Sequence, residues 1–332
     1  MLEPETRTPV EAFLQQVHDR VVTISGGEVA TYIPELGKAD PNLLGIAIAT
    51  IDGKVYAAGD ADAQFTIQSV SKPFMYGLAL EQWGRDAVMQ HVGVEPTGAA
   101  FNAAVFDEDN NRPANPMVNA GAIAVSSMVK GADYLAKRST MLALLSRYAG
   151  RPLTIDESVF RSERETGERN RAIAGLMRQA AMLEGDTDEI LDVYFSQCSV
   201  LVTCRDLAVM AATLANGGVQ PVTGERVLSQ QYVADVLTVM HSCGMYNYAG
   251  QWSYEVGVPA KSSVSGSIIG AVPGQMGVVA FSPPLDKVGN SVRAMAAFKS
   301  IARDVDMHVF RARPRAGDVI RRELSGDTVH SK

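Results

Sequence analysis

The feature that most constrains the fold is the placement of strand-forming segments near both ends of the chain, with a long helical stretch between them. Near the amino terminus, apolar segments 44–51 and 54–58 flank Asp52-Gly53, a pair typical of a tight β-hairpin turn. Near the carboxyl terminus, segments 265–271 and 277–281 also predict strands. We therefore expect one antiparallel sheet completed by the two ends of the chain.

Helical periodicity accounts for most of the remaining sequence. Residues 11–24 and 291–306 predict amphipathic helices at the two ends. In the middle, apolar residues from Leu207 to Leu214 recur at helical spacing before Gly217-Gly218 ends the pattern. The predicted fold class is α/β of the α+β type, an antiparallel sheet flanked by helices with a helical subdomain.

We expect a single catalytic domain over residues 1–310. With 332 residues and 46% hydrophobic content, the chain is long enough to bury a sizeable core. The sheet part takes about residues 1–75 and 240–310, and the helical part about 76–239. Several arginines near the end predict a loosely ordered tail over 311–332.

Charge and composition exclude several classes of partner. The formal net charge of −7 offers no basic footprint for nucleic acid. The uncharged stretch 262–285 contains glycines and prolines, which favours strands and turns over a membrane span. The first 20 residues carry acids and lack the apolar core of a signal peptide, which predicts a cytoplasmic protein.

We expect neither a metal nor a nucleotide cofactor. The three cysteines lack the spacing of zinc or redox sites, and the five histidines are scattered without metal-ligand spacing. The glycine pairs lack the neighbouring residues of a phosphate-binding loop.

Ser69 and Lys72 have the spacing of a nucleophile and its base at the start of a predicted helix. Side chains three residues apart share one helix face, about 5–6 Å apart between Cβ atoms, so the amine can take the hydroxyl proton. The helix start also favours developing negative charge. The spacing alone is a weak signal, because Ser127 and Lys130 repeat it. That copy ends an apolar run before Gly131, and we interpret it as structural.

A second lysine, Lys261, heads an expected edge strand over 259–266. Small residues in this segment let its backbone approach Ser69, and one of its N–H groups is the expected second donor to an oxyanion. The two elements, in this order, resemble the penicillin-binding-protein and serine β-lactamase fold. The third element of that fold, Ser-Asp-Asn, is missing, and the asparagine-rich segment 115–122 stands in its place.

Longer motifs make the chain similar to the serine-dependent glutaminase family over about residues 10–310. The motifs are NPMVNAGA at 115–122, SERETGERN at 162–170, MAATLANGG at 210–218, MHSCGMY at 240–246 and SPPLDKVGNS at 282–291. The resemblance implies hydrolysis of L-glutamine to L-glutamate and ammonia without a cofactor. It also implies a homodimer or a homotetramer.

The resemblance also implies which residues contact the substrate. These are Tyr32, Gln68, Ser69, Asn119, Glu163, Asn170, Tyr194, Tyr246 and Val264. Glu163 matches the family's ammonium-binding carboxylate, and Asn119 and Asn170 match amide donors to the α-carboxylate. We expect one helix, begun by a capping box at Ser162 and Glu165, to carry Glu163 and Asn170 on one face.

In the implied mechanism, Ser69 attacks the carboxamide while the N–H groups of Ser69 and Val264 bind the oxyanion. Lys72, together with Tyr246, takes the proton, and which of the two is the base stays open. Tyr246 acts as a proton relay if the cationic lysines lower its pKa. Lys72 is a base if burial or Lys261 lowers its own pKa.

One position departs from the family pattern, which usually reads Lys-Ser-Gly-Val. Ser263 replaces the glycine and adds a side chain that would crowd the strand or shift the oxyanion donor. Two alternative functions stay open at this point. A β-lactam or peptide acyl hydrolase would share the fold, and a non-catalytic glutamine-binding or assembly protein is compatible with the serine.

Overall fold

The structure, a computed structural model, describes residues 7–98, 105–107 and 109–311. The predicted tail over 311–332 lies outside this range apart from Arg311. The described strands are β1 (Gly45–Thr50), β2 (Val55–Gly59), β3 (Phe65–Thr66), β4 (Phe106–Asp107), β5 (Arg112–Pro113), β6 (Leu201–Val202), β7 (Ala260–Ser262), β8 (Ser267–Val272) and β9 (Met276–Phe281). Five of them form one antiparallel sheet in the order β2-β1-β9-β8-β7.

Helices make up most of the remaining described structure. They are α1 (Pro9–Val21), α2 (Lys72–Trp83), α3 (Arg85–His91), α4 (Asn119–Ser127), α5 (Tyr134–Ala149), α6 (Glu157–Thr166), α7 (Glu168–Gln179), α8 (Thr187–Cys198), α9 (Cys204–Ala215), α10 (Gln230–Cys243), α11 (Ala249–Glu255) and α12 (Val292–Asp304). Short 3-10 turns occupy Leu36–Lys38, Gln68–Ser71 and Tyr246–Tyr248. The predicted fold class is confirmed.

The predicted hairpin and the joining of the two chain ends are also confirmed. β1 pairs with β2 through a turn at Asp52-Gly53, where the glycine has the positive φ of 84° that such a turn requires. On its other edge β1 pairs with β9, so strands from opposite ends of the chain are adjacent. β7 forms one edge of the sheet, as expected of the segment that carries Lys261.

Side chains of the sheet alternate between two apolar layers. Ile46 and Ile48 of β1 belong to a cluster with α1, α11 and α12 on one face. Ala47 and Ala49 belong to a cluster with α2 and α9 on the other face. The small side chains let α9 lie close to the sheet: a Cβ on Gly277 would be 2.3 Å from the Ala208 carbonyl oxygen. The middle of the chain therefore packs directly on strands from both ends.

Two further sequence features have the expected local structure. The uncharged stretch 262–285 contains β8 and β9. No helix of the described ranges combines the length and the apolarity needed to cross a membrane. Ser127 and Lys130, the second serine–lysine pair, lie at the end of α4, where Lys130 is exposed and stacks over the ring of Trp83.

Candidate active site

A cavity of about 410 Å³ lies where the turn before α2 meets the turn between β7 and β8. Its wall contains eight of the residues predicted from the sequence, namely Tyr32, Gln68, Ser69, Asn119, Glu163, Asn170, Tyr194 and Val264. Lys72, Tyr246 and Lys261 are not on this wall but hydrogen-bond to one another or to residues that are. The fold thus brings all of the predicted site residues into one region.

Ser69 lies in the 3-10 turn that leads directly into α2. Gln68, just before it, has a φ of 48°, a left-handed conformation that costs free energy for a residue with a side chain. The Ile67 N–H donates to the Val200 carbonyl at 2.8 Å, and the Ser71 hydroxyl donates to the Gln68 carbonyl at 2.7 Å. These bonds hold the strained turn in place and fix the position of the nucleophile.

Lys72 is the first residue of α2 and is only 1% exposed. Its Nζ donates to Asn119 Oδ1 at 2.8 Å and to the Met117 carbonyl at 3.2 Å. Burial penalises the charged form and lowers the pKa of Lys72 to about 8. About a tenth of Lys72 is therefore neutral at pH 7 and more at higher pH, and a neutral amine is what a base requires.

Tyr246 connects the nucleophile to the second lysine. Its phenol shares a hydrogen bond with the Ser69 hydroxyl and accepts one from Lys261 Nζ at 2.7 Å. Lys261 is fully buried and also donates to the Ser262 carbonyl at 2.6 Å. Burial, aided by the charge of Lys72, holds the pKa of Lys261 well below its usual range. A continuous hydrogen-bonded path therefore runs from serine to phenol to amine.

The pKa of Tyr246 is raised, and not lowered by the nearby lysines as considered from the sequence. Burial raises the pKa of this phenol, and the hydrogen bond with Ser69, which lowers it, is the smaller effect. A stable phenolate is therefore disfavoured, because the cost of burying the anion exceeds the help from nearby groups. Tyr246 is therefore a neutral phenol that lies between the Ser69 hydroxyl and the Lys261 amine.

Glu163 is a buried carboxylate on the cavity wall, 5% exposed. Burial raises its pKa to about 7, and the hydrogen bond with Gln68 opposes this shift. Its Oε1 atom has no hydrogen-bond partner among the described residues. An unpaired buried carboxylate oxygen is costly, so it favours a ligand that brings a donor or a positive charge.

The prediction that one helix carries both Glu163 and Asn170 is wrong. Ser162 does not begin a helix, because it lies inside α6, whose first turn is capped by the Asp156 side chain. Gly167 ends α6, and Asn170 belongs to the next helix, α7. The two residues reach the same cavity from two helices that meet at this glycine.

The amide groups and phenols surround the rest of the cavity. Asn119 Nδ2 donates to Asn170 Oδ1 at 3.0 Å, which links α4 to α7. Tyr194 of α8 is buried, and burial keeps its pKa well above the usual value, so it remains a neutral phenol. Tyr32 is 55% exposed and lies at the cavity rim. These groups suit a small polar ligand.

Several cavity residues were not singled out from the sequence. They are Ile33, Thr166, Gly167, Glu168, Arg169 and Cys198. Residues 166–169 lie inside the motif at 162–170, so the motif itself was the available signal. Cys198 follows Tyr194 by four residues on α8, a spacing that places both on one helix face.

Potential metal ligands are not clustered in the described part of the chain. No three histidine, cysteine, aspartate or glutamate side chains come together there as a metal site requires. The cavity presents hydroxyls, amides, one thiol and the buried carboxylate of Glu163, together with the exposed side chains of Glu168 and Arg169. This set is suited to recognising a zwitterion next to a serine nucleophile.

Comparison with known proteins agrees with this geometry. The family model for glutaminase matches residues 27–310. A glutaminase from Trichormus variabilis is 52% identical over 303 residues, which cover 91% of this chain and 91% of the relative.

Solved structures give the same result. Mglu in its glutamate form has a TM-score of 0.89 at 41% identity, covering 96% of this chain and 74% of that one. A probable glutaminase from Bacillus subtilis complexed with 6-diazo-5-oxo-L-norleucine has a TM-score of 0.84 at 33% identity, covering 93% and 99%. With a family model that matches residues 27–310 and a curated relative that is 52% identical over 91% of its length, the chain belongs to the glutaminase family.

Proposed function

We propose that this glutaminase hydrolyses the side-chain amide of L-glutamine to L-glutamate and ammonia through an ester on Ser69. The observation that carries the proposal is the unpaired Oε1 of buried Glu163, which shares a cavity with the serine. A carboxylate for an ammonium group and a nucleophile for an amide match the two ends of glutamine. The glutamate named in the Mglu structure supports a ligand of this kind.

Glu163 in its ionised form binds the substrate ammonium group and so completes its hydrogen bonding. The amides of Asn119 and Asn170, already joined to each other, donate to the α-carboxylate. The buried phenol of Tyr194 and the rim residue Tyr32 close the cavity around the amino-acid part. These contacts place the side-chain amide against Ser69.

Ester formation begins when Ser69 Oγ attacks the amide carbon. When Lys261 is neutral, its nitrogen can accept the hydrogen bond from the Tyr246 phenol across the same 2.7 Å contact. The Ser69 hydroxyl proton then passes to Tyr246 while the phenol proton moves to Lys261, with Lys72 as the alternative base. The oxyanion is held by the N–H groups of Ser69 and Val264. Collapse of the intermediate breaks the C–N bond, and the proton returns through the same path to the departing ammonia.

Water then replaces ammonia in the same cavity. The relay takes one proton from the water as its oxygen attacks the ester carbon, and it returns that proton to Ser69 Oγ. The products are L-glutamate and the free hydroxyl of the enzyme. The two half-reactions use the same donors and bases, as microscopic reversibility of the relay requires.

Removing the Ser69 hydroxyl tests this proposal. Ser69→Ala is expected to reduce ammonia release by at least about 10³-fold, because the nucleophile is lost while the binding groups remain. Ser127→Ala is the matched control, since it changes the serine of the second serine–lysine pair, and it should keep full activity. Substantial activity in Ser69→Ala, or turnover of a chromogenic cephalosporin in place of glutamine, would contradict the proposal.

Assembly and compartment are further parts of the proposal. On the basis of the family resemblance, we propose a homodimer or homotetramer. We also propose that the protein is cytoplasmic. The three described cysteines are free thiols and buried, which suits a reducing compartment. Light scattering coupled to size-exclusion chromatography distinguishes the two assemblies from a monomer of 35.5 kDa.

A further inference from the structure

We propose that Ser263 is a positioning residue that ties together the two backbone segments bearing the oxyanion donors. This inference rests on the proposed function, because it concerns the same reaction. Ser263 directly follows β7 and precedes Val264, and the residue is 2% exposed. The pairing of β7 with β8 is regular through Ser262, so the serine is accommodated without breaking the sheet.

The Ser263 hydroxyl reaches across to the segment that carries the nucleophile. Its Oγ donates to the Ile67 carbonyl oxygen at 3.3 Å, two residues before Ser69. Val264 follows Ser263, and Ser69 lies in the turn that follows Ile67. One buried hydrogen bond therefore joins the two donor segments, which are 196 residues apart in the sequence.

Two more serines extend the hydrogen bonding behind Ser263. The Ser265 Oγ lies 2.7 Å from the Ser263 Oγ, and the Ser265 N–H donates to that same oxygen at 3.2 Å. The Ser267 Oγ lies 3.4 Å from the Ser265 Oγ. A hydroxyl has one proton, so Ser263 can donate to Ile67 only if Ser265 donates to Ser263. The contacts form a chain of donors that runs from Ser267 to the Ile67 carbonyl.

The chain of serines matters because the turn before Ser69 is strained. The Ile67 carbonyl accepts one hydrogen bond from the Val70 N–H at 3.1 Å within the turn, and the Ser263 hydroxyl donates a second one from outside it. Gln68 keeps its positive φ only while the surrounding structure holds it. Glycine, the usual residue of the Lys-Ser-Gly-Val pattern, has no group that can make this bond.

The expected effect is on the rate of the chemical step and not on substrate binding. Oxyanion donors act on the transition state, whereas the ammonium and carboxylate groups of glutamine contact other residues. Loss of one oxyanion donor costs about 10²–10³-fold in kcat. A displaced donor costs less, so Ser263→Ala should lower kcat by about 5- to 50-fold and change KM less than about twofold.

The experiment compares kcat and KM for glutamine in Ser263→Ala and Ser282→Ala. Ser282 is the matched control. Its N–H donates to the Gly266 carbonyl in the turn between β7 and β8 at 3.0 Å, and its buried hydroxyl has no hydrogen-bond partner among the described residues. The control should keep the parent kcat, and binding of L-glutamate by calorimetry should be unchanged in both variants. An unchanged kcat in Ser263→Ala, or a raised KM at constant kcat, overturns the proposal.

A second variant covers the case in which Ser263→Ala does not fold. Ser265→Ala removes the hydroxyl that donates to Ser263, so it should lower kcat in the same direction. Where Ser263→Ala does fold, the double variant should lower kcat little further than either single variant, because both substitutions break the same chain of hydrogen bonds. Additive losses in kcat would contradict the chain. Retained activity in Ser69→Ala would instead overturn the proposed function, so the two failures are distinguishable.

Discussion

Three ionisable side chains at the site, Lys72, Lys261 and Glu163, are almost completely buried. Burial favours the neutral form of each side chain. It lowers the pKa of both lysines, to about 8 for Lys72, and raises the pKa of Glu163 to about 7. For the lysines, this shift supplies the neutral amine that the proposed mechanism needs from a base. For Glu163, it means that only part of the free protein carries the carboxylate that we propose binds the ammonium group.

The raised pKa of Glu163 predicts pH-dependent binding of glutamine. Above a pKa of about 7 the free site carries the carboxylate, and below it the protonated acid has no charge to offer the ammonium group. Since one pH unit below the pKa leaves about a tenth of the groups ionised, the Kd of glutamine should be about tenfold higher at pH 6 than at pH 8. Calorimetry in the Ser69→Ala background measures binding without turnover.

Two substitutions in that background assign the effect. Glu163→Gln removes the titrating group, so binding should be weaker at every pH and nearly independent of pH between 6 and 8. Glu165→Gln changes an exposed carboxylate on the same helix and should keep the parent profile. A pH dependence that survives in Glu163→Gln would mean that another group titrates.

At the scale of single elements, the sequence predicts those features that depend on residues close together in the chain. The hairpin depends on the turn at Asp52-Gly53, and the start of α12 depends on Ser291, whose side chain accepts from the Ala294 N–H. The break between α6 and α7 was missed because helical residues continue on both sides of Gly167. A Cβ on Gly167 would lie 2.6 Å from the Phe195 ring and 2.7 Å from the Glu163 carbonyl oxygen, a restriction that exists only in the folded chain.

Local sequence signals do not predict the protonation states of the site residues. Lys261 sits on an edge strand, where a solvated lysine is the usual outcome, and yet it is fully buried. The raised pKa of Tyr246 follows from the same enclosure by distant segments. Sequence motifs named these residues, but their charge states depend on packing that only the folded chain defines.

α4, the helix that begins with Asn119, depends on a close backbone approach at Gly121. A Cβ at this position would lie 1.9 Å from the Asn115 carbonyl oxygen. The Asn115 side chain is fixed in turn, because its Oδ1 accepts from the N–H groups of Met117 and Val118 at 3.0 and 3.3 Å. Gly121→Ala should therefore destabilise the protein by about 2 kcal/mol or more.

Gly175 provides the matched control, since it lies within α7 and a Cβ there would meet no atom within 4 Å. Gly175→Ala should stabilise the protein by about 0.5–1 kcal/mol, because alanine loses less backbone entropy in a helix. Urea unfolding followed by circular dichroism measures both changes. Equal effects of the two substitutions would show that the contact at Gly121 does not restrict the side chain.

At the scale of the whole molecule, the sheet and helical parts share their packing. α9 lies against β9 and β1, so a helix from the middle of the chain packs on strands from both ends. The rings of Phe65 and Phe281 stack with their centroids 3.8 Å apart and join the segment before Ser69 to β9. Separate unfolding of either part would expose these buried surfaces to water. We therefore expect the described chain to unfold as one unit.

The two tryptophans allow this expectation to be tested, because one lies in each part. Trp83 ends α2 in the helical part, and its Nε1 donates to the Met128 carbonyl at 2.6 Å. Trp252 of α11 is buried beneath the sheet, with its ring centroid 5.1 Å from that of Phe298. Replacing either tryptophan with phenylalanine leaves the other as the sole indole reporter, since the chain contains only two.

In each single-tryptophan variant, the fluorescence and the far-ultraviolet circular dichroism should give the same denaturant midpoint, as a two-state transition requires. Trp252→Phe is expected to lower the midpoint because it opens space in a packed layer, so the comparison is made between probes within one variant. If the midpoint from Trp252 fluorescence differs from the midpoint from circular dichroism, which reports mainly on the helices, the sheet part unfolds separately. The cavity, whose walls come from both parts, would then be lost before the protein as a whole.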